Sequence, residues 1–277
     1  TDFYLPLAAA LPSLRAPGVP LFLGINGAQG TGKSTLADFL DMACQALVDW
    51  RSAVLSIDDF YLTRAERAAL AETAHPLFAT RGVPGTHDVA MLRETLDRLL
   101  ALGDGQTFAL PTFDKASDDR AGLTTWRSVE GPLDLIILEG WCVGSTAQTP
   151  EALEKPINDL ERVHDAEATW RTAANTALSR DYEPLFDQLD ALVFLAAPSF
   201  DAIYRWRLEQ ERKLAGRTGG PAIMDEAAIA EFISHYERIT RHNLGTLPAR
   251  ADVIISLDEG HAVIASKGRI LPVGPNS

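Results

Sequence analysis

Apolar runs of strand length alternate with stretches of helical periodicity along this chain. Pro20 to Asn26, PLFLGIN, has the length of a buried strand. After a glycine-rich turn, Leu36, Leu40, Ala43 and Leu47 recur at helical spacing and predict one buried helix face. A second apolar run, Ala53 to Ile57, ends at Asp58-Asp59-Phe60-Tyr61. Residues 64 to 88 read as a short helix and then a loop, Thr80 to Asp88, turned by Pro84 and Gly85. Leu92, Leu96, Leu99 and Leu100 predict an amphipathic helix stopped by Gly103 and Gly105. Pro111 to Arg120 reads as a polar loop. Leu133 to Leu138, broken only by Asp134, predicts a third buried strand ending at Glu139-Gly140-Trp141.

The second half continues the alternation. Residues 149 to 190 read as helical and amphipathic, with Trp170, Tyr182 and Phe186 as packing anchors. Ala191 to Ala196 is the next strand. Ser199 starts a helix carrying Arg205, Arg207, Arg212 and Lys213, which fades into Gly216, Gly219, Gly220 and Pro221. Ile229, Phe232, Ile233 and Tyr236 mark another amphipathic helix, and Trp170 and Tyr236 read as core aromatics. Asp252 to Ser256 is a last sheet strand, and His261 to Ala265 with Arg269 to Leu271 suggests a terminal hairpin. Strand, helix and strand in succession predict a parallel α/β sheet with right-handed crossovers. The strand ends at Asp58 and Glu139 then share the edge where such sheets bind ligands.

The turn after the first strand carries a specific spacing. Gly27-Ala28-Gln29-Gly30-Thr31-Gly32-Lys33-Ser34, followed by Thr35, fits G-x-x-x-x-G-K-[ST], a phosphate-binding loop. Glycines let backbone N–H groups curl around a polyphosphate. Lys33 reaches the β- and γ-phosphates, the Ser34 hydroxyl ligates Mg²⁺, and the following helix adds its positive end. The flanking strand and helix are the context this loop requires.

Charge and cysteine content narrow the classes. The chain has 277 residues and a formal net charge of −13, with a pI near 4.9. That argues against a nucleic-acid footprint. An anionic nucleotide must then be drawn in by a local basic site. Cys44 and Cys142 lack metal-ligand spacing and read as reduced packing residues of a cytosolic protein. No apolar run approaches membrane-spanning length. The opening LPLAAALP lacks a basic leader and is interrupted by Pro6 and Pro12, so we read it as a short helix packed on the domain.

Several charged groups converge if the sheet is parallel. A carboxylate at Asp58 would accept the proton of a substrate hydroxyl. Asp59 is its rival for that role, and alternation along an extended chain turns the two to opposite sides. Both also suit the cap of the following helix. Glu139, at the tip of an apolar strand, suits a Mg²⁺ shell. The arginines near 205 to 212 suit a lid, although Glu209 and Glu211 offer them surface partners. His87 fits either a substrate contact or a loop hydrogen bond.

On these residues the chain resembles the P-loop kinases of small molecules, the group of uridine kinase and bacterial pantothenate kinase. It looks most like the plant and fungal type of D-glycerate 3-kinase and its bacterial relatives. The resemblance rests on GINGAQGTGKST, SIDDFYLT, RGVPGTHD, PTFDK, VEGPLDLIILEGW and WRLEQERKL, and covers nearly the whole chain. It implies transfer of the γ-phosphoryl group of ATP to a primary hydroxyl. By position it implies Asp58 as base, Glu139 with Ser34 as the magnesium site, and lid arginines among Arg205, Arg207 and Arg212. Asp59, Tyr61, Arg81, His87, Asp114, Lys115 and Arg120 fall in the regions that contact the acceptor. One departure is DKASDDR, which is shorter than the glycine-containing stretch of those kinases.

The resulting expectation is a P-loop NTPase fold, a mainly parallel sheet of order 2-3-1-4-5 with helices on both faces. We expect residues 1–277 to form a single kinase domain, with a helical insertion around 149–190 and a lid around 205–221. The expected cofactors are ATP and Mg²⁺, the expected partner is a small hydroxylated metabolite, and no nucleic acid or membrane is implied. D-Glycerate leads as acceptor. A nucleoside, pantothenate, a sugar, or a regulatory ATP-binding role are the alternatives. No N-K-x-D guanine-reading motif occurs.

Overall fold

The computed structural model describes residues 2–218 and 226–271. Its centre is a six-stranded sheet. The strands are β1 (Leu21–Gly27), β2 (Ser52–Ser56), β3 (Leu135–Gly140), β4 (Ala191–Ala196), β5 (Val253–Leu257) and β6 (Val263–Gly268). They lie in the order β2-β3-β1-β4-β5-β6. The first five are parallel, and β6 runs antiparallel to β5. Asp134, Asp190 and Asp252, each just before a strand, accept backbone N–H groups of Arg51, Phe22 and Leu192. These carboxylates satisfy donors on the sheet edge opposite the phosphate loop.

The helices are α1 (Tyr4–Ala10), α2 (Lys33–Val48), α3 (Arg64–Thr73), α4 (Val89–Leu100), α5 (Pro150–Glu154), α6 (Asp159–His164), α7 (Thr169–Ala177), α8 (Glu183–Phe186), α9 (Phe200–Thr218) and α10 (Glu226–Thr246). Alternation along the strands splits the core into two faces. Leu21, Leu23 and Ile25 of β1 point with Ile137 and Val193 toward α1 and α2. Phe22, Ile136, Leu138 and Phe194 point the other way, toward Leu92, Leu96 and Leu99 of α4 and Tyr236 of α10. The expected N-terminal helix is α1, whose Tyr4 ring lies 5.7 Å from Phe39 of α2. Cys44 and Cys142 are free, buried thiols, and burial pushes both up, Cys44 to about 11.

Five details depart from the sequence reading. Leu47 is 54% exposed, because α2 ends one residue later and its last turn overhangs the core. The stretch 149–190 is a series of short helices joined by turns, including a π-helical turn at Leu178–Tyr182. Buried ion pairs pin it: Arg171 to Asp165 at 2.9 Å, and Arg238 of α10 to Glu161 at 2.6 Å. Helix α9 continues through Gly216 to Thr218; the expected break at Gly219, Gly220 and Pro221 lies outside the described residues. The C-terminal hairpin pairs β6 with β5 rather than 261–265 with 269–271. The polar loop 111–120 is itself a small ladder, Phe113–Asp114 against Asp119–Arg120.

Candidate active site

The turn from β1 into α2 is shaped by close backbone approaches. A Cβ on Gly27 would lie 2.4 Å from the Thr31 hydroxyl oxygen, so the turn closes only over a bare glycine. The Thr31 hydroxyl donates to the Ala28 carbonyl at 2.8 Å. Gly30 and Gly32 take φ of +82° and +86°, a conformation that favours glycine. Ala28 is buried in a cluster that includes Trp206 of α9. Lys33 and Ser34 begin α2, and Thr35 beside them is exposed.

Ser34 and Glu139 meet across the sheet edge. The Ser34 hydroxyl donates to Glu139 Oε1 at 2.8 Å. Glu139 is only 4% exposed, and its buried Oε2 has no protein partner. A hydroxyl beside an orphaned carboxylate oxygen is a hard donor set that fits Mg²⁺, which takes few protein ligands and keeps waters and phosphate oxygens. Among the described residues no cluster of three or more His, Cys, Asp or Glu side chains forms a self-sufficient metal cage. Asp59 faces this side, in a hollow shared with Ser34, Asp38, Asp41 and Glu139. Burial pushes its carboxyl up and the charges of Asp58 and Glu139 add to that, against the Phe113 N–H that donates to it at 3.1 Å.

Asp58 turns the other way, because Ile57–Phe60 is a 3₁₀ turn that fans successive side chains apart. It lines a cavity of about 290 Å³. Gln29, Gly30 and Lys33 of the phosphate loop line it together with Asp58, Tyr61, Arg81 and Lys115. Arg207 and Gln210 of α9, Phe232 and Tyr236 of α10, and Trp141 complete the lining. Lys115 Nζ donates to Asp58 Oδ2 at 2.6 Å, and the Tyr61 hydroxyl donates to Oδ1 at 2.9 Å. Burial alone would raise the Asp58 carboxyl; Lys115 and Lys33 outweigh it and hold it at about 2. Lys33, Arg81, Lys115 and Arg207 make this cavity the local basic site that an acidic chain needs.

The remaining candidates fall outside that cavity. His87 is buried behind Tyr61, stacked on its ring at 4.5 Å between centroids. The Tyr182 hydroxyl oxygen accepts the Gly85 N–H and shares a hydrogen bond of 2.8 Å with His87 Nδ1. Burial pushes His87 down to about 4, so the ring is neutral. Asp114 accepts from the Ala116 and Ser117 N–H groups and shapes its own turn. Arg120 pairs with Asp88, the N-cap of α4, at 3.2 Å. Arg212 is exposed on α9.

Other residues of the site carried little signal in the sequence. Asp118 holds the guanidinium groups of both Arg67 and Arg81 from a left-handed turn position, φ +55°. The Trp141 indole N–H donates to the Gly82 carbonyl at 3.1 Å. Tyr236, expected as core, is buried and yet lines the cavity, and its hydroxyl donates to the Arg81 carbonyl at 3.2 Å. Gly82 was the available clue, since RGVPG places a glycine where the loop backbone meets an aromatic ring.

No family model matches the chain. The uncharacterized kinase mug58 of Schizosaccharomyces pombe is 35% identical over 245 residues, 83% of each chain. The chloroplastic D-glycerate 3-kinase of Arabidopsis thaliana is 33% identical over 237 residues, 83% of this chain and 49% of that protein. The structure of D-glycerate 3-kinase from Cryptococcus neoformans superposes with a TM-score of 0.78 at 27% identity, covering 96% of this chain and 97% of that one. With the phosphate loop, the parallel sheet and these relatives together, the chain belongs to the P-loop kinase family that includes D-glycerate 3-kinase, and is an ATP-dependent phosphotransferase acting on an alcohol group.

Proposed function

We propose that this kinase transfers the γ-phosphoryl group of ATP to a primary hydroxyl of a small carboxylated metabolite, D-glycerate. The observation that carries the acceptor class is one carboxylate and two cations lining the same cavity: Asp58 for a hydroxyl proton, Arg81 and Lys115 for an anionic group. The names of the plant and fungal relatives support the same acceptor.

In this reading the phosphate loop and Lys33 seat the β- and γ-phosphates. Ser34 and Glu139 would hold Mg²⁺, with Asp59 facing them across the same hollow. The ion supplies charge neutralisation at the phosphates. Asp58 orients the acceptor hydroxyl and takes its proton, while Tyr61 fixes the carboxylate by its hydrogen bond. Arg207 adds positive charge where the transferring group passes. His87 and Tyr182 act from behind, keeping the Tyr61 ring in place.

The test is ADP release from Mg²⁺-ATP with D-glycerate, glycerol, nucleosides, pantothenate and simple sugars. Stimulation by D-glycerate well above the others is the expected result. Stimulation by a neutral acceptor alone overturns the assignment.

A further inference from the structure

Asp58 is occupied before any substrate arrives. Lys115 holds one carboxylate oxygen at 2.6 Å and Tyr61 holds the other at 2.9 Å. A carboxylate so engaged is a weak base, and efficiency in proton transfer falls as a base's pKa drops far below the working pH. The two cations acting on it are not alike in purpose. Lys33 belongs to the phosphate loop and Lys115 to the 113–120 ladder. Lys115 is 59% exposed on a flexible stem and has room to move. Arg81 is held more firmly: it pairs with Asp118, away from Asp58, and lies against the Phe113 ring, with its centre 5.7 Å from the ring centroid.

Resting on the reading that the acceptor is a hydroxy acid, we propose that each substrate strips one cation from Asp58, so that the base becomes competent only in the ternary complex. The nucleotide phosphates draw Lys33, and the acceptor's carboxylate draws Lys115. Lys115 is thus the specificity-determining residue. It leaves Asp58 for an anionic acceptor and stays for a neutral one or for water. The step then balances: the acceptor hydroxyl gives its proton to Asp58 and its oxygen bonds the γ-phosphorus. The bond from that phosphorus to the bridging oxygen breaks, its electron pair leaves with ADP, and Asp58 later returns the proton to solvent.

The same ion pair explains how a water-accessible base avoids wasting ATP. Asp58 is 23% exposed in its side chain, so water reaches it. Water carries no charge with which to remove Lys115. The titratable and charged groups around Asp58 are Lys33 from α2, Lys115 from the ladder, Arg81, the neighbouring Asp59, Tyr61, His87, Cys142 and Tyr236. Burial raises Asp58, and Lys115 then Lys33 lower it. Releasing both lysines therefore raises its basicity.

The experiment compares wild type, Lys115→Met and Lys115→Arg with D-glycerate, with glycerol (the same alcohol without the carboxylate) and with no acceptor, from pH 3 to 9. For Lys115→Met, glycerol turnover and acceptor-free ATP hydrolysis should rise, each on the order of tenfold relative to D-glycerate turnover. The acid limb of kcat/KM should move up to the ordinary carboxylate range, near pH ~4. Lys115→Arg should keep the wild-type preference. If Lys115→Met only raises KM for D-glycerate, with glycerol turnover, ATP hydrolysis and the pH profile unchanged, Lys115 merely binds and the proposal falls while the acceptor assignment stands. A wild-type enzyme that ignores D-glycerate overturns the acceptor assignment and this proposal with it.

Discussion

In the proposed reading, the wall built from residues 27–35 meets ATP through its backbone, and the wall built from residues 58–120 meets the acceptor through side chains. The phosphate wall is local. Gly27, Thr31 and Lys33 lie within one turn and are fixed by a bare glycine, one hydroxyl bond and the start of a helix. The acceptor wall is assembled from the strand end at Asp58, the loop at Arg81 and the ladder at Lys115, joined by ion pairs through Asp58 and Asp118. Partly exposed ion pairs of this kind contribute little to stability, about 0–1 kcal/mol each. They can therefore exchange partners when a charged ligand enters. The fixed wall suits a polyphosphate whose shape never changes, and the exchangeable wall suits an acceptor that differs between enzymes.

The largest effect should come from the fixed wall. Lys33→Ala should lower phosphoryl transfer by roughly a thousandfold or more while circular dichroism and melting stay near wild type. Substantial activity in that variant would remove the phosphate wall from the reaction. On the other wall, Asp58→Asn should lower kcat by about a hundredfold or more, with ATP affinity nearly unchanged. The neighbouring Asp59→Asn should instead weaken the response to Mg²⁺ titration, since Asp59 faces Ser34 and Glu139. A kcat loss in Asp59→Asn with normal Mg²⁺ dependence would exchange the two carboxylates.

The two walls also differed in how far the sequence disclosed them. The phosphate loop is legible because its chemistry lies in backbone geometry, and geometry restricts residue type at fixed spacing. The parallel sheet was equally legible, since β1, β3 and β4 are mostly apolar runs of strand length, buried nearly throughout. The split between Asp58 and Asp59 was expected from alternation, yet it arises from a 3₁₀ turn. What escaped were partnerships. Nothing in DKASDDR tells that Asp118 binds two arginines from distant segments, or that Asp114 turns inward on its own loop. Tyr236 reads as core because a helical apolar stripe looks the same whether it meets a sheet or the back of a substrate loop.

His87 tests whether the acceptor wall depends on a neutral support. Its folded pKa of about 4 lies below the ordinary 6.5 because burial disfavours the charged ring. Between those values the unfolded chain binds a proton that the folded chain does not. Stability therefore falls as pH drops from 6.5 toward 4, on the order of 3 kcal/mol in the limit of full burial, and is unaffected by this group below that. His235 and His242 are also lowered by burial, so the readout is a difference. The melting temperature of wild type should drop more between pH 7 and 4.5 than that of His87→Phe. Parallel slopes would show that His87 is protonated without cost and is no rigid backing for Tyr61.

The smallest effect concerns the one place where the acceptor wall borrows the tactic of the phosphate wall. Gly82 sits at φ +143°, and a Cβ there would lie 2.4 Å from the Tyr236 hydroxyl oxygen and 2.5 Å from the ring carbon bearing it. Gly82→Ala must push the loop off Tyr236, and with it the Arg81 carbonyl that accepts the tyrosine hydroxyl. Arg81 then shifts relative to Asp58. We expect KM for the acceptor to rise about tenfold, a cost of about 1–2 kcal/mol, with ATP binding unchanged. Steric cause and general loop damage separate in a double-mutant cycle. In a Tyr236→Ala background the space is open, so Gly82→Ala should cost much less than in wild type. Equal costs in both backgrounds would assign the effect to the strained φ alone, and the loop would then owe its position to its own turn rather than to the aromatic ring behind it.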